Sequence, residues 1–336
     1  MSLPATMTAI VCARPGGPEV LEARPIAAPA PRDGEVVIRV AAAGVNAPDL
    51  AQRRGDYPAP EGHSPLLGLE VSGEIVGPAG EWKVGDRVVA LTNGGAYAEY
   101  VAVPSTQVLP LPASWTLNDA AALPECWFTI TQTLIMRAGL EAGMWVLIHG
   151  GAGGLGGAAV QMCRMLGARP IAVVSSGDKA TYAISLGADA VIRHDSEDFV
   201  LRTRELTSGH GADRILDMQG GATTTRNIDA AARFGHIVMV ATLADRGADL
   251  PMNKLIAKQL TISGSTLRHQ SAVTKAAIAA RLLREFWPSI STAGFTRPRV
   301  KTFPLDAAAD AHRAMEDRAH YGKIVLQTAF GAGQLR

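Results

Sequence analysis

Two hydrophobic periods divide the chain. Up to about residue 123, short stretches alternate apolar and polar positions, at 35–40, 71–76, 87–91 and 97–103, with Gly, Pro and Asp between them. Period-two alternation broken by turn residues predicts many short paired strands, hence a compact, antiparallel, barrel-like unit. The pattern then changes. The apolar run Trp145–His149 reads as a buried strand, and after a glycine cluster residues 155–166 place apolar side chains at helical spacing. Strands at 170–174, 190–192, 214–218, 236–241 and 260–265 alternate with helices at 179–186, 199–206, 223–232 and 252–258. Alternation at this length implies right-handed crossovers and a parallel, doubly wound sheet. Leu-Gly-Ala at 166–168 and again at 186–188 marks two helix ends, because glycine accepts the left-handed backbone there.

From residue 268 the pattern predicts a helix at 272–286, a strand at 300–303, a helix at 306–316 and a last strand at 323–327, with 331–336 as a loose tail. This zone is too small to stand alone and is assigned to the first. The expected organisation is a catalytic domain of residues 1–124 and 268–336 and an inserted dinucleotide-binding domain of residues 125–267. The last strand of the inserted sheet, 260–265, would leave Leu260 and Ile262 on an open edge. Soluble proteins cover or pair such edges, so a homodimer joined there is expected.

Composition narrows the function. The net charge is +1 and no run of Lys or Arg forms a basic patch, so a nucleic-acid partner is not expected. The 3 cysteines, Cys12, Cys126 and Cys163, are scattered without a C-x-x-C spacing, which excludes a disulfide framework and a cysteine-built zinc site. No stretch of about twenty apolar residues runs uninterrupted, so no membrane span is expected. The first ten residues lack the basic segment and apolar core of a secretory signal, and the cytoplasm is the expected compartment.

The clearest chemical motif is His149-Gly-Gly-Ala-Gly-Gly-Leu-Gly156, set between a predicted strand and a predicted helix. Here Gly150, Gly151, Gly153, Gly154, Leu155 and Gly156 allow a tight turn, a close approach of a pyrophosphate to backbone amides, and close packing of helix on strand. The helix N-terminus adds unpaired N–H groups and the positive end of its dipole. His-Gly-Gly also looks like the oxyanion segment of lipases, but no G-x-S-x-G nucleophile elbow accompanies it. The next strand ends in Ser175 and Ser176 rather than an acidic residue, with Lys179 one short turn away and Arg193 and His194 after the following strand. An acidic tip would bind a ribose 2′-hydroxyl and repel a 2′-phosphate, so serine and lysine favour NADPH, with Asp178 as a competitor for Lys179. In the first zone, Asn46 and Tyr57 stand out as polar groups amid Gly and Pro. Each suits a hydrogen bond to substrate or to the nicotinamide ribose, and each also suits ordinary turn chemistry.

Taken together, Gly44–Leu50, Gly68–Glu74, Trp82–Val88, Gly95–Tyr100, the glycine loop and Gly322–Leu326 resemble the medium-chain dehydrogenase/reductase superfamily, and within it the zinc-free NADPH:quinone oxidoreductases. Gly80–Lys83, Ala121–Glu125 and Trp145–Gly150 are similar to the tumour-suppressor-inducible type. The resemblance runs from about Ala9 to Leu326. It implies an α/β fold, a Rossmann sheet inserted in a GroES-like, β-rich catalytic domain, and a cofactor cleft between the two. It implies that Asn46 and Tyr57 face nicotinamide and substrate, and that Thr129, Leu267 and Arg268 lie near the nicotinamide. Ser175, Ser176, Lys179 and His194 would surround the adenosine phosphate, with Lys323 near the cleft. Where zinc relatives carry a Cys and a Gly-His-Glu, this chain has Asn46 and Gly68-Leu69-Glu70, so no metal is expected. Two departures stand out: many relatives carry tyrosine at His194, and an Ala then an aromatic where Ile130 and Thr131 follow Thr129. The activity implied is hydride transfer from NADPH to a quinone or similar electron-poor carbonyl. The alternatives are enoyl-thioester reduction with Tyr57 as proton donor, and a low-turnover NADPH-binding protein.

Overall fold

A computed structural model describes residues 3–334. The chain separates into two compact units, one made of the residues up to Phe128 together with those from Arg268 on, the other of Thr129–Leu267.

The first unit is built on β1 (Thr6–Cys12), β2 (Leu21–Ala27), β3 (Glu35–Val45), β4 (Glu70–Gly77), β5 (Arg87–Leu91), β6 (Tyr100–Pro104), β7 (Val108–Pro110), β14 (Val300–Pro304) and β15 (Lys323–Gln327). β1 and β2 form an antiparallel ribbon that the alternation pattern did not single out. The other seven form one sheet in the order β14-β15-β3-β4-β5-β7, with β6 also on β3. The long strand β3 organises it: its first half pairs β6 and its second half pairs β15, 279 to 285 positions later in the chain, while β4 runs along its other edge. The C-terminal strands therefore complete the N-terminal sheet. β14 pairs β15 in parallel, so this unit is not wholly antiparallel as the pattern predicts. Val36, Ile38, Val40, Val71, Ile75, Val88 and Ile324 fill its core, the inward face that period-two alternation creates. The tail is also more ordered than expected: Ala329–Gly333 forms a helical turn capped by Thr328, whose Oγ accepts from Gly331 N. Residues 335–336 lie outside the described residues.

The second unit holds β8 (Trp145–His149), β9 (Arg169–Val174), β10 (Ala190–Arg193), β11 (Ala212–Asp217), β12 (Ala231–Met239) and β13 (Thr261–Gly264). All pairings are parallel, in the order β10-β9-β8-β11-β12-β13. This is the doubly wound Rossmann arrangement, whose order reverses between β8 and β11. The helix ends at Gly167 and Gly187 are where the sequence puts them, with φ of 74° and 102°. Two expectations fail locally. The helix predicted over 223–232 occupies Gly221–Ala230, and β12 starts at Ala231, because Ala231 pairs with Ala212 ahead of a register shift in β11. Leu260, expected on the open edge, is 8% exposed and packs into the core with Ile215, Ile237 and Phe199. β13 does form the edge, but only Ile262 of the expected pair belongs to it. Among the described residues, no helix is long and apolar enough to cross a membrane.

Candidate active site

In the second unit, the predicted cofactor residues gather at the carboxyl ends of neighbouring strands. The glycine loop leaves β8 and enters the helix Gly154–Met165 with Gly153 as its N-cap. Gly156 stands in that helix so close to the loop that a Cβ there would collide with the carbonyl oxygen of Gly150. A Cβ at Gly151 would lie 2.5 Å from that of Ala172 on β9. The loop therefore keeps its shape only with glycine at these two places, and the shape bares the amides of a helix N-terminus. Beneath it, His149 is 4% exposed. Its Nε2 lies 2.8 Å from Asn227 Oδ1, Asn227 Nδ2 donates to Asp217 Oδ2 (3.0 Å), and Thr224 Oγ1 donates to the same oxygen (2.6 Å). Burial, outweighing the help of Asn227 and Asp217, pushes the His149 imidazole below its usual pKa. A buried, neutral histidine tied to a strand end is a clamp on the loop, not an acid–base group.

At the next strand end, Ser176 caps the helix Gly177–Ser185, its Oγ accepting from Lys179 N, and Lys179 Nζ donates to Ser175 Oγ at 3.0 Å. The sequence brings this lysine beside the two serines because one helical turn separates them. His194 is exposed just beyond β10, its N–H bonded to Val174 O. Arg193, also considered for this corner, is turned to Asp195 at 2.7 Å. Thr129 and Leu267 belong to the same unit. Thr129 is half-buried and its carbonyl accepts from Thr133 Oγ1, at the start of a π-helical stretch, Thr131–Arg137, which the sequence pattern does not reveal. Leu267 is buried.

In the first unit, Asn46 opens the helix Ala47–Arg54, and Asp49 three residues on draws the surroundings together. Asp49 Oδ2 accepts from Asn46 N (2.8 Å) and from the Tyr97 hydroxyl (3.3 Å), and its Oδ1 accepts from Gly68 N (2.9 Å). Burial pushes the Asp49 carboxyl up to about 6 against these donors. The result is to hold Asn46 against Glu70, the first residue of β4. Asn46 Nδ2 donates to Glu70 Oε1 (2.8 Å), Lys323 Nζ donates to Asn46 Oδ1 (2.7 Å), and Lys323 and Glu70 form a direct, fully buried ion pair. The amide of Asn46 is thus spent inside the cluster instead of reaching outward as the sequence suggests. Cys126 Sγ completes it, 3.7 Å from Lys323 Nζ. Burial lowers the lysine's pKa, but Cys126, Glu70 and Glu125 together outweigh it, so the ammonium keeps its proton.

Tyr57 and Arg268 are brought together elsewhere in this unit. The Arg268 guanidinium lies 5.7 Å from the centre of the Tyr57 ring, and the Tyr57 hydroxyl lies 3.3 Å from His269 Nδ1. Burial first, and Glu125 second, push the Tyr57 phenol above its usual pKa. Glu125 is itself held up to about 8, by burial and by the charge of Glu70, and so is largely neutral at pH 7. Sequence reasoning missed Asp49, Glu125, His269 and Lys275. The one available signal was proximity: His269 directly follows Arg268, and Glu125 follows the Ala-Leu-Pro that carried the family resemblance.

Comparison with known proteins identifies the family. Residues 32–113 match the alcohol dehydrogenase GroES-like domain family and residues 154–281 the zinc-binding dehydrogenase family. A quinone oxidoreductase from Sus scrofa is 30% identical, over 95% of this chain and 97% of its own. Among solved structures, an NAD-dependent alcohol dehydrogenase is 32% identical with a TM-score of 0.83, covering 96% of this chain and 99% of that one. The Escherichia coli quinone oxidoreductase complexed with NADPH is 28% identical with a TM-score of 0.81, covering 96% and 99%.

Proposed function

The chain belongs to the quinone oxidoreductase family of the medium-chain dehydrogenase/reductases, and from that premise we propose that it reduces quinones or similar electron-poor carbonyls with NADPH and without a metal. In this reading residues 1–124 and 268–336 form the catalytic domain, residues 125–267 bind the dinucleotide, and the enzyme works in the cytoplasm. The observation that carries the cofactor assignment is the Lys179–Ser175 pair at the end of β9, where a carboxylate would repel a 2′-phosphate. The glycine loop fits a pyrophosphate, since the positions a Cβ would block are those the backbone needs for close approach. Gly150, Gly151, Gly153, Gly154, Leu155 and Gly156 would hold the pyrophosphate, with Ser175, Ser176, Lys179 and His194 around the adenosine phosphate. Thr129, Leu267, Arg268 and Lys323 would serve the nicotinamide end.

The bound dinucleotide supplies a hydride. The chain's own residues position the acceptor: Tyr57 offers a phenolic hydrogen bond to a carbonyl oxygen, and Arg268 lends positive charge beside it. Asn46 keeps Lys323 and Glu70 in register. A quinone oxygen, once reduced, accepts its proton from water as well as from a side chain, so no carboxylate pair or metal is required. The reading is tested by adding NADPH with a quinone and following nicotinamide absorbance, with an enoyl thioester as the competing acceptor.

The Asn46–Glu70–Lys323 cluster supports metal independence. Leu69 replaces the histidine ligand of zinc relatives, and an ammonium already engages the polar atoms of Asn46 and Glu70, so the residues present do not fit a divalent cation. Purified protein is expected to carry no stoichiometric zinc on elemental analysis and to keep its activity with a chelator. One zinc per chain would refute this.

We also propose a homodimer joined at β13. Thr261 is exposed on this edge strand, and Met252 and Ile256 on the preceding helix are 57% and 69% exposed. A second copy continuing the sheet would cover them. Light scattering at micromolar concentration should give twice the mass of one chain, and a monomer mass would contradict the assignment.

A further inference from the structure

Tyr57 has a partner that neither the motifs nor the proposed chemistry use. His269 Nδ1 lies 3.3 Å from its hydroxyl, and the two rings meet edge to face, centroids 5.6 Å apart at 81°. His269 is exposed, whereas Tyr57 is half-buried. The backbone that carries His269 is anchored one residue earlier. Arg268 Nη1 donates to Gln52 Oε1 (2.7 Å), its Nη2 to Asn93 O (3.0 Å), and its carbonyl accepts from Lys275 Nζ (2.8 Å). Lys275 is 1% exposed and also grips Asn93 Oδ1 at 2.5 Å. Gln52 sits on the helix Ala47–Arg54, so the imidazole hangs from a fixed support beside the phenol. The arrangement places a ring able to carry a proton between bulk water and a tyrosine that holds its own proton tightly.

We propose that His269 is a positioning residue for the reduction: it orients the Tyr57 phenol and returns to it the proton that Tyr57 gives to the reduced acceptor. This rests on the reading above that Tyr57 faces the acceptor. Hydride transfer oxidises the dinucleotide and leaves the acceptor's carbonyl oxygen as an oxyanion. The Tyr57 O–H bond breaks and its proton goes to that oxyanion. The tyrosinate takes a proton from His269 Nδ1, and the exposed ring takes one from water. The relay moves protons only and needs no further oxidant or reductant. Losing Tyr57 leaves water as the donor, so the effect with a quinone is moderate.

The experiment compares kcat and KM for a quinone with NADPH in Tyr57→Phe, His269→Asn, the double variant and His269→Gly with added imidazole. His269 is exposed, so these changes spare the core. Each single variant is expected to lose about two- to tenfold in kcat with KM held, and the double variant to be no slower than Tyr57→Phe. Imidazole should restore His269→Gly and do nothing for a variant lacking the phenol. If Tyr57→Phe slows turnover while His269→Asn does not, or if the two losses multiply, the relay is overturned and the acceptor site stands. A His269→Gly loss that imidazole does not recover likewise overturns the proton return. If Tyr57→Phe leaves kcat and KM unchanged, the placement of Tyr57 fails and the relay with it.

Discussion

Lys323→Met is expected to lower the free energy of unfolding by about 3–5 kcal/mol, the usual cost of removing one partner from a buried ion pair. Lys323 and Glu70 are 3% and 0% exposed, so water cannot replace the lost ammonium. Glu70 would keep the Asn46 amide and the Glu125 N–H, but its charge would be left uncompensated next to Asp49 and Glu125. The desolvation cost of a charge, not the small difference in side-chain volume, sets the size of the loss. Adding Glu70→Gln should recover much of it, because the charge that lost its counterion is then gone. Denaturant titration of both variants decides the matter. A loss under about 1 kcal/mol for the single change, typical of a surface pair, would show that the cluster is not buried as described.

The second large effect concerns cofactor choice. Lys179→Ala is expected to weaken NADPH binding about ten- to a hundredfold, the worth of a charge-assisted hydrogen bond of about 1.5–3 kcal/mol, and to leave NADH binding nearly unchanged. The discrimination should shrink with added salt, because Lys179 is only half-buried and screening reaches it. Fluorescence titration of both dinucleotides measures this. Equal losses for the two would mean that Lys179 supports the helix Gly177–Ser185 instead of a phosphate.

The two hydrophobic periods made much of this fold legible. Parallel strands buried on both faces read as short apolar runs, and the helices between them carry a distinct period, so a doubly wound parallel sheet followed from the chain. The join of β15 to β3 was not readable from periodicity, since nothing local in Lys323–Gln327 records which strand it meets. The start of β12 was misplaced for a similar reason: Ala230, Ala231 and Ala232 suit helix and strand alike, and pairing with Ala212 decides between them. In the candidate site, glycines and strand-tip serines were legible because their chemistry is local. Asn46 was legible as a residue but not in its orientation, which Glu70 and Lys323 determine from 24 and 277 positions away. His269 gave no sign beyond following Arg268, because a single exposed histidine acquires meaning only from the phenol it touches.

NADPH-dependent reduction of a quinone is tested most directly by one kinetic comparison. Purified protein is mixed with NADPH or NADH and with a series of quinones, an enone and an enoyl thioester, and nicotinamide oxidation is followed with and without a chelator. The highest kcat/KM is expected for NADPH with a quinone, indifferent to the chelator. A faster rate with the enoyl thioester, abolished by Tyr57→Phe, or a preference for NADH, would contradict it.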